Sequence, residues 1–343
     1  MHVGTPREAY RGPAVSVTRQ ESTAPQRLRR LLWHHEPAAT IPPPLTNGVD
    51  IVHRTAAVLL TAALSLLVTV APAHAAVATA TNTVSANTLD AYWTPQRLAQ
   101  AKPMPAPQAL PTNAPEQVGR PTFVHATEPA GFQPMSSVWT TIGRLVFSVP
   151  GKGDYLCSAN VVTSNNRDVI ATARHCVMDI STGQTYNNFR FAPSYSRGSA
   201  PQGWWNWRSM GWRIDDTSPG GDNAFIVLAT GGNGNRHVQD AVGSSGIGFN
   251  QPSNNYAHGL GIPADKDYAV WCEGQPYDGP QGGVQIPNCN GLSGGASGGA
   301  FIVNYQGDGS AMQTASFFGS WGDSYFAFYR NAALDVYNGA QNA

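Results

Sequence analysis

Charge is what this chain has least of. Only 12% of its 343 residues are charged, and 21 basic residues balance 21 acidic ones to a formal net charge of zero. A nucleic-acid surface or an electrostatically held membrane surface needs a basic excess, so neither partner is expected. Cysteine is sparse too: Cys157, Cys176, Cys272 and Cys289 are the only four, all in the C-terminal part. None has C-x-x-C spacing, and no metal or other cofactor is expected. An even set confined to one region reads as two disulfides and an oxidising compartment. Long helical periodicity is scarce, whereas glycine, at 36 residues, is abundant. That combination points to an all-β protein rich in turns.

Long hydrophobic runs are limited to one, at 56–70, after His53-Arg54. At about 15 residues it is short for a membrane span. The small residues of Ala71-Pro72-Ala73-His74-Ala75-Ala76 follow it, as a signal peptidase requires. Residues 52–75 are therefore expected to be a signal peptide of a secreted protein that keeps no membrane anchor after cleavage. Residues 1–51 are expected to be a non-native extension, translation beginning instead at Val49 or Val52 from an alternative start codon. Residues 76–134, rich in Ala, Pro, Thr and Asn, read as a propeptide or disordered tether with a short amphipathic patch at 89–98. The globular domain is expected over 135–343.

Inside that domain the texture is of short strands separated by turn residues. The stretches 141–149 and 155–162 flank Pro150-Gly151-Lys152-Gly153 as a hairpin. Further strands are expected at 169–172, 189–191, 224–229, 268–272, 299–304, 314–319 and 325–329, and a short helix at 332–337. Trp204, Trp205, Trp207 and Trp212 read as packing on one strand face, not as a sugar platform. His237 and His258 are isolated and imply no metal site.

Two short segments carry the chemistry: Thr172-Ala173-Arg174-His175-Cys176 and Gly294-Gly295-Ala296-Ser297-Gly298-Gly299. A serine hydroxyl is a poor nucleophile, so Ser297 needs a base within reach and a third group that fixes the base's tautomer. His175 is the candidate base. Asp222 is the candidate orienter, because Gly220-Gly221-Asp222 opens directly onto the apolar strand pattern 224–229, whereas Asp215 and Asp216 read as solvated turn acids. The glycines beside Ser297 let backbone N–H groups face a developing oxyanion, and those of Gly295 and Ser297 are the candidates. Chain order then separates folds. Gly295-x-Ser297-x-Gly299 also fits the nucleophile elbow of α/β-hydrolases, but no histidine follows His258, and that fold needs one after the serine.

Order and motifs together resemble the chymotrypsin-fold (trypsin-like) serine peptidases, of the secreted bacterial branch that includes glutamyl-endopeptidase-like enzymes. The likeness runs from about residue 138 onward and includes Cys157-Ser158-Ala159-Asn160-Val161-Val162 and Ser316-Phe317-Phe318-Gly319. It implies two six-stranded antiparallel β-barrels with the active site in the cleft between them and a short C-terminal helix. It also implies an endopeptidase that hydrolyses protein or peptide substrates through an acyl-enzyme, with a His175-Asp222-Ser297 triad, acting as a monomer. The rivals are a peptidase-fold binding protein that has lost catalysis and a serine esterase on the same barrels.

By the same resemblance Cys157 bridges to Cys176, and Cys272–Cys289 is the other pair. They close loops of about 19 and 17 residues, each contributing on the order of 3 kcal/mol in the chain-entropy model. Substrate contacts are expected from Gly291 and Leu292, near the base of the primary pocket, and from Ser316, Phe317 and Phe318. With no carboxylate at Gly291, and Ala315 where glutamate-specific relatives carry histidine, small or medium apolar side chains are the expected preference. Two departures stand out. Ala296 replaces the aspartate that pairs with a freed N-terminus in the animal enzymes. Arg174 replaces a small residue, and its charge is expected to point to solvent.

Overall fold

The computed structural model describes residues 77–107, 118–127, 138–216, 218–305 and 311–343. The expected N-terminal extension and signal peptide therefore lie outside the described residues. No helix among those described is long and apolar enough to cross a membrane.

The described chain opens with β1 (Val77–Thr81), α1 (Ala86–Tyr92), α2 (Pro95–Gln100) and β2 (Lys102–Pro103). Both helices start on side-chain caps: Ser85 accepts from the Thr88 N–H and Thr94 from the Arg97 N–H. Residues 77–107, expected within a propeptide or disordered tether, form these two helices and two strands. Leu89 (0% exposed), Trp93 and Met104 are buried, and β1 pairs with a barrel strand over five residues. A segment poor in core residues is held by three apolar anchors and by borrowed strand pairing. After β3 (Thr122–Val124) and the single turn α3 (Val138–Thr141) the barrels begin.

The first barrel contains β4 (Ile142–Val149), β5 (Gly153–Val161) and β6 (Val169–Ala173), then a small hairpin, β7 (Met178–Asp179) with β8 (Gln184–Thr185). It is completed by β9 (Asn187–Pro193), β10 (Trp205–Arg213) and β11 (Asn223–Leu228). Neighbours run β10-β11-β6-β5-β4-β9, and β9 pairs back onto β10, closing six strands. β1 is added at β10 and β2 at β5. All eight residues of β4 are buried. Trp205, Trp207 and Trp212 lie in the barrel core with Phe147, Phe189 and Phe191, as the strand-face reading expected.

After α4 (Val238–Val242) the second set follows: β12 (Gly246–Phe249), β13 (Ala257–Gly261), β14 (Val270–Gly274), β15 (Tyr277–Asp278), β16 (Val284–Ile286), β17 (Ala300–Val303), β18 (Met312–Trp321) and β19 (Asp323–Phe328). The path is β14-β13-β17-β18-β19-β16-β15, with β12 on β18 and β3 on β12. The architecture is the expected two-barrel one, with a correction of detail. Among the described residues the second barrel is an open half-barrel, because β14 and β15 stand at opposite ends of the path. Its core holds Phe301, Phe317, Phe326 and Phe328. The closing helix α5 (Asn331–Ala340) extends the expected 332–337 at both ends and packs on the first barrel through Tyr337, whose ring meets Phe225 at 5.7 Å.

Candidate active site

Three chain segments converge where the barrels meet. β6 is wholly buried, and it ends in a 3₁₀ turn, Arg174–Cys176, that carries the histidine. β11 is likewise buried and begins after the turn Pro219–Gly221, which ends at Asp222. The two strands pair antiparallel with Asn223 opposite Ala173. That register brings Asp222 and His175 to the same barrel end, although 47 positions separate them in the chain.

The resulting contacts are direct. The His175 main-chain N–H donates to Asp222 Oδ1 at 2.9 Å, and His175 Nδ1 lies 2.6 Å from Oδ2. Two hydrogen bonds to one carboxylate fix both the position and the plane of the ring. Asp222 is 1% exposed and His175 6%. With Nδ1 engaged, Nε2 is the nitrogen left to exchange a proton, and it is buried without a hydrogen bond among the described residues. The Phe318 ring stands edge-on to the imidazole, centroids 5.7 Å apart.

Ser297 comes from the second barrel, in the loop ahead of β17. Its carbonyl accepts from the Ser158 N–H at 2.7 Å, and Ser158 Oγ donates to the Gly295 carbonyl at 3.0 Å. Ser158 also accepts from the Ile262 N–H, so one side chain of β5 ties the serine loop to the first barrel. Nothing in the amino-acid pattern marks this role beyond the place of Ser158 beside Cys157. Within the loop, the N–H groups of Ala296, Gly298 and Gly299 donate to Ser293, Phe317 and Ala296 carbonyls. Those of Gly295 and Ser297 have no acceptor among the described residues, the alternation an anion-holding loop needs. Ala296 is fully buried, and a Cβ added at Gly261 would come within 2.8 Å of its own Cβ.

Other expected site residues are placed differently. Ser316 is buried, with Oγ 2.7 Å from Tyr329 Oη. Phe317 packs on Phe326, ring centroids 5.4 Å apart, and Leu292 lies in the same core. These three side chains serve the second barrel; of the expected set, Phe318 alone reaches the histidine. Phe317 and Phe318, successive residues of β18 at a register shift in its pairing with β19, are both buried. Gly291 is partly exposed. Arg174 corrects its expectation outright: it is 1% exposed, and Asp216, expected to be solvated, is buried beside it.

Both disulfides pair as expected, Cys157–Cys176 and Cys272–Cys289. The first staples β5 to the histidine turn. Cys157, His175 and Cys176 cluster within 4.8 Å, but bridged sulfurs are not the thiolates a metal would take. A cavity of about 440 Å³ opens beside His175, walled by Lys152, Tyr155, Asp179 and Tyr186 and by residues 104–107 of the N-terminal segment. Burial raises the Tyr186 hydroxyl well above the ordinary tyrosine range, so it borders the cavity as a neutral phenol.

No protein-family model and no curated protein matches the chain. Solved structures do. A thermostable serine protease from an extremophilic microorganism shares 31% identity over 60% of this chain and 98% of its own, with a TM-score of 0.54. The chain belongs to the chymotrypsin-fold serine peptidases. A second structure, protease Anisep from Arthrobacter nicotinovorans, aligns at 26% identity over 64% of this peptidase-fold chain and all of its own length, also with a TM-score of 0.54. Both alignments span well over half of this chain.

Proposed function

We propose that the chain is a secreted serine endopeptidase. Ser297 Oγ attacks the peptide carbonyl carbon, its proton passes to His175 Nε2, and the carbonyl oxygen takes the negative charge between the N–H groups of Gly295 and Ser297. His175 then protonates the leaving amine as the C–N bond breaks. Water, deprotonated by the same nitrogen, hydrolyses the acyl-enzyme and restores the hydroxyl. Asp222 holds the ring and balances the imidazolium charge. The observation that carries this reading is the buried His175–Asp222 pair at 2.6 Å, which leaves Nε2 without a hydrogen bond among the described residues.

Residues 76–134 are then a propeptide that obstructs the cleft. β2 pairs in parallel with Tyr155 and Leu156, a stretch of β5 that β6 leaves unpaired, and the Met104 N–H donates to the Leu156 carbonyl at 3.0 Å. The Pro103 ring lies 3.2 Å from where a Cβ on Gly294 would stand, beside the serine loop. An extended substrate would compete for that strand edge. Secretion through the signal peptide 52–75 agrees with two disulfides.

The deciding measurement is hydrolysis of a peptide library by the protein purified from culture medium, beside Ser297→Ala. The variant should lose on the order of 10⁶-fold in turnover if the three groups act as a unit. A loss of only about tenfold would remove Ser297 as nucleophile.

A further inference from the structure

Arg174 takes no part in the scheme above, yet it is among the largest fully buried side chains of the protein. Its Nε lies 3.9 Å from Asp222 Oδ1, the oxygen that also accepts the His175 N–H. Its Nη1 donates to the main-chain carbonyl of Asp216 and, at 3.4 Å, to that of Arg213. Its own N–H donates to the Asp222 carbonyl at 3.1 Å. One guanidinium thus spans the loop 213–222 and the end of β6, joining the segment that carries the aspartate to the turn that carries the histidine.

The charged and titratable groups around it are Asp222, Asp216, Arg213, Asp215 and the adjacent His175, with Tyr186 and Tyr325 facing Asp222 from β9's approach and from β19. Burial works against the guanidinium charge, while Asp222 and then Asp216 favour it. An arginine keeps its proton in such a site, so the balance there is of fixed charges.

We propose that Arg174 is a positioning residue of the catalytic dyad: its buried positive charge neutralises Asp222 in the resting site and lowers the hold of the Asp222–His175 pair on a proton. This rests on the acyl-transfer reading. With Arg174 present, the guanidinium offsets the Asp222 charge, and proton uptake by the imidazole takes place beside a positive group; the buried Asp216 adds a negative charge that is the same in every variant. With a neutral residue there, the resting pair is a buried net negative charge, and proton uptake neutralises it. Low dielectric sharpens that difference. Arg174 therefore keeps His175 available as a base to lower pH. The carbonyl contacts do a second job, holding the loop that carries Asp222 against the turn.

The test is the pH profile of kcat/KM for the wild type, Arg174→Met, Arg174→Gln and Arg174→Lys, with active sites counted by an organophosphonate and folding followed by thermal unfolding. In the Met and Gln variants the acid limb should move up by about one pH unit. In the Lys variant it should return toward the wild-type position even where kcat is reduced. An unmoved limb in a folded neutral variant, or a Lys variant displaced as far as Met, overturns the proposal. The Gln amide can still donate to the Asp216 carbonyl, so Gln decides where Met does not fold. If neither neutral variant folds, Arg174 is a structural bracket and the proposal fails. A wild type that neither cleaves peptides nor reacts with the organophosphonate removes the acyl-transfer reading itself, whereas an active wild type with unmoved variants removes only the role of Arg174.

Discussion

Gly298 shows how closely the nucleophile is held. It sits at φ +79°, and a Cβ there would run into Thr172 Oγ1 and the Ser158 carbonyl and stand 2.8 Å from the Ala173 nitrogen. Gly298→Ala must therefore push the serine loop off β5 and β6. We expect a loss of at least about 2 kcal/mol in denaturant unfolding, from the strained φ and the clash together, and a loss of organophosphonate labelling. A variant that labels at the wild-type rate would show that the loop has slack. The candidate triad was legible because its chemistry needs three residue types in a fixed chain order, and order survives in a sequence. Arg174 was not legible. A lone charged residue reads as solvated, and only the folded carbonyls of Arg213 and Asp216 together with Asp222 supply the polar surroundings that permit its burial.

Among the elements, strands buried on both faces announced themselves as short apolar runs, as in β6 and β11. Glycine-rich strands did not. β13 carries Gly259 and Gly261 where Phe326 and Ala296 leave no space for a side chain, so its pattern resembles a loop. The hairpin β7–β8 has a different hold. Asp179 accepts from the Ser181 hydroxyl at 2.6 Å and the Ser181 N–H at 3.0 Å, and these bonds, the hydroxyl's foremost, keep its carboxyl below the ordinary value. A carboxyl depressed by folding adds stability that is present above its unfolded value and lost as pH falls through the folded one. Because the side chain is partly exposed, the contribution is only a few tenths of a kcal/mol. Asp179→Asn should be less stable by that amount near neutrality, and the gap should close below the ordinary aspartate value of 3.8. Urea unfolding of both proteins at two pH values reads this directly, and a gap that persists in acid would assign it to lost packing.

For the whole molecule, the N-terminal segment buries apolar side chains against the first barrel and, in the proposed function, also obstructs the cleft. Leu89, Trp93 and Met104 each bury most of a large side chain, worth about 1.5–3 kcal/mol apiece by area. Deleting residues 77–107 should therefore cost roughly 5 kcal/mol of stability. The same deletion should raise peptide hydrolysis per folded molecule, since β2 leaves the edge of β5. A less stable protein with unchanged activity would separate the two roles. The propeptide reading came from composition and position, but the supporting role was not legible, because the segment pairs with β10 and β5 and draws little from its own composition.

Helix α5 lies against β10 and β11 of the first barrel, although the entire second barrel precedes it in the chain; Val336 and Tyr337 join Phe225 in one buried cluster, and the Tyr337 hydroxyl donates to the Thr163 carbonyl at 2.6 Å. During synthesis the strand that follows Asp222 thus emerges long before the helix packed against it. A first barrel made without α5 leaves an apolar flank bare, so its covering waits on a helix that follows every strand of the second barrel.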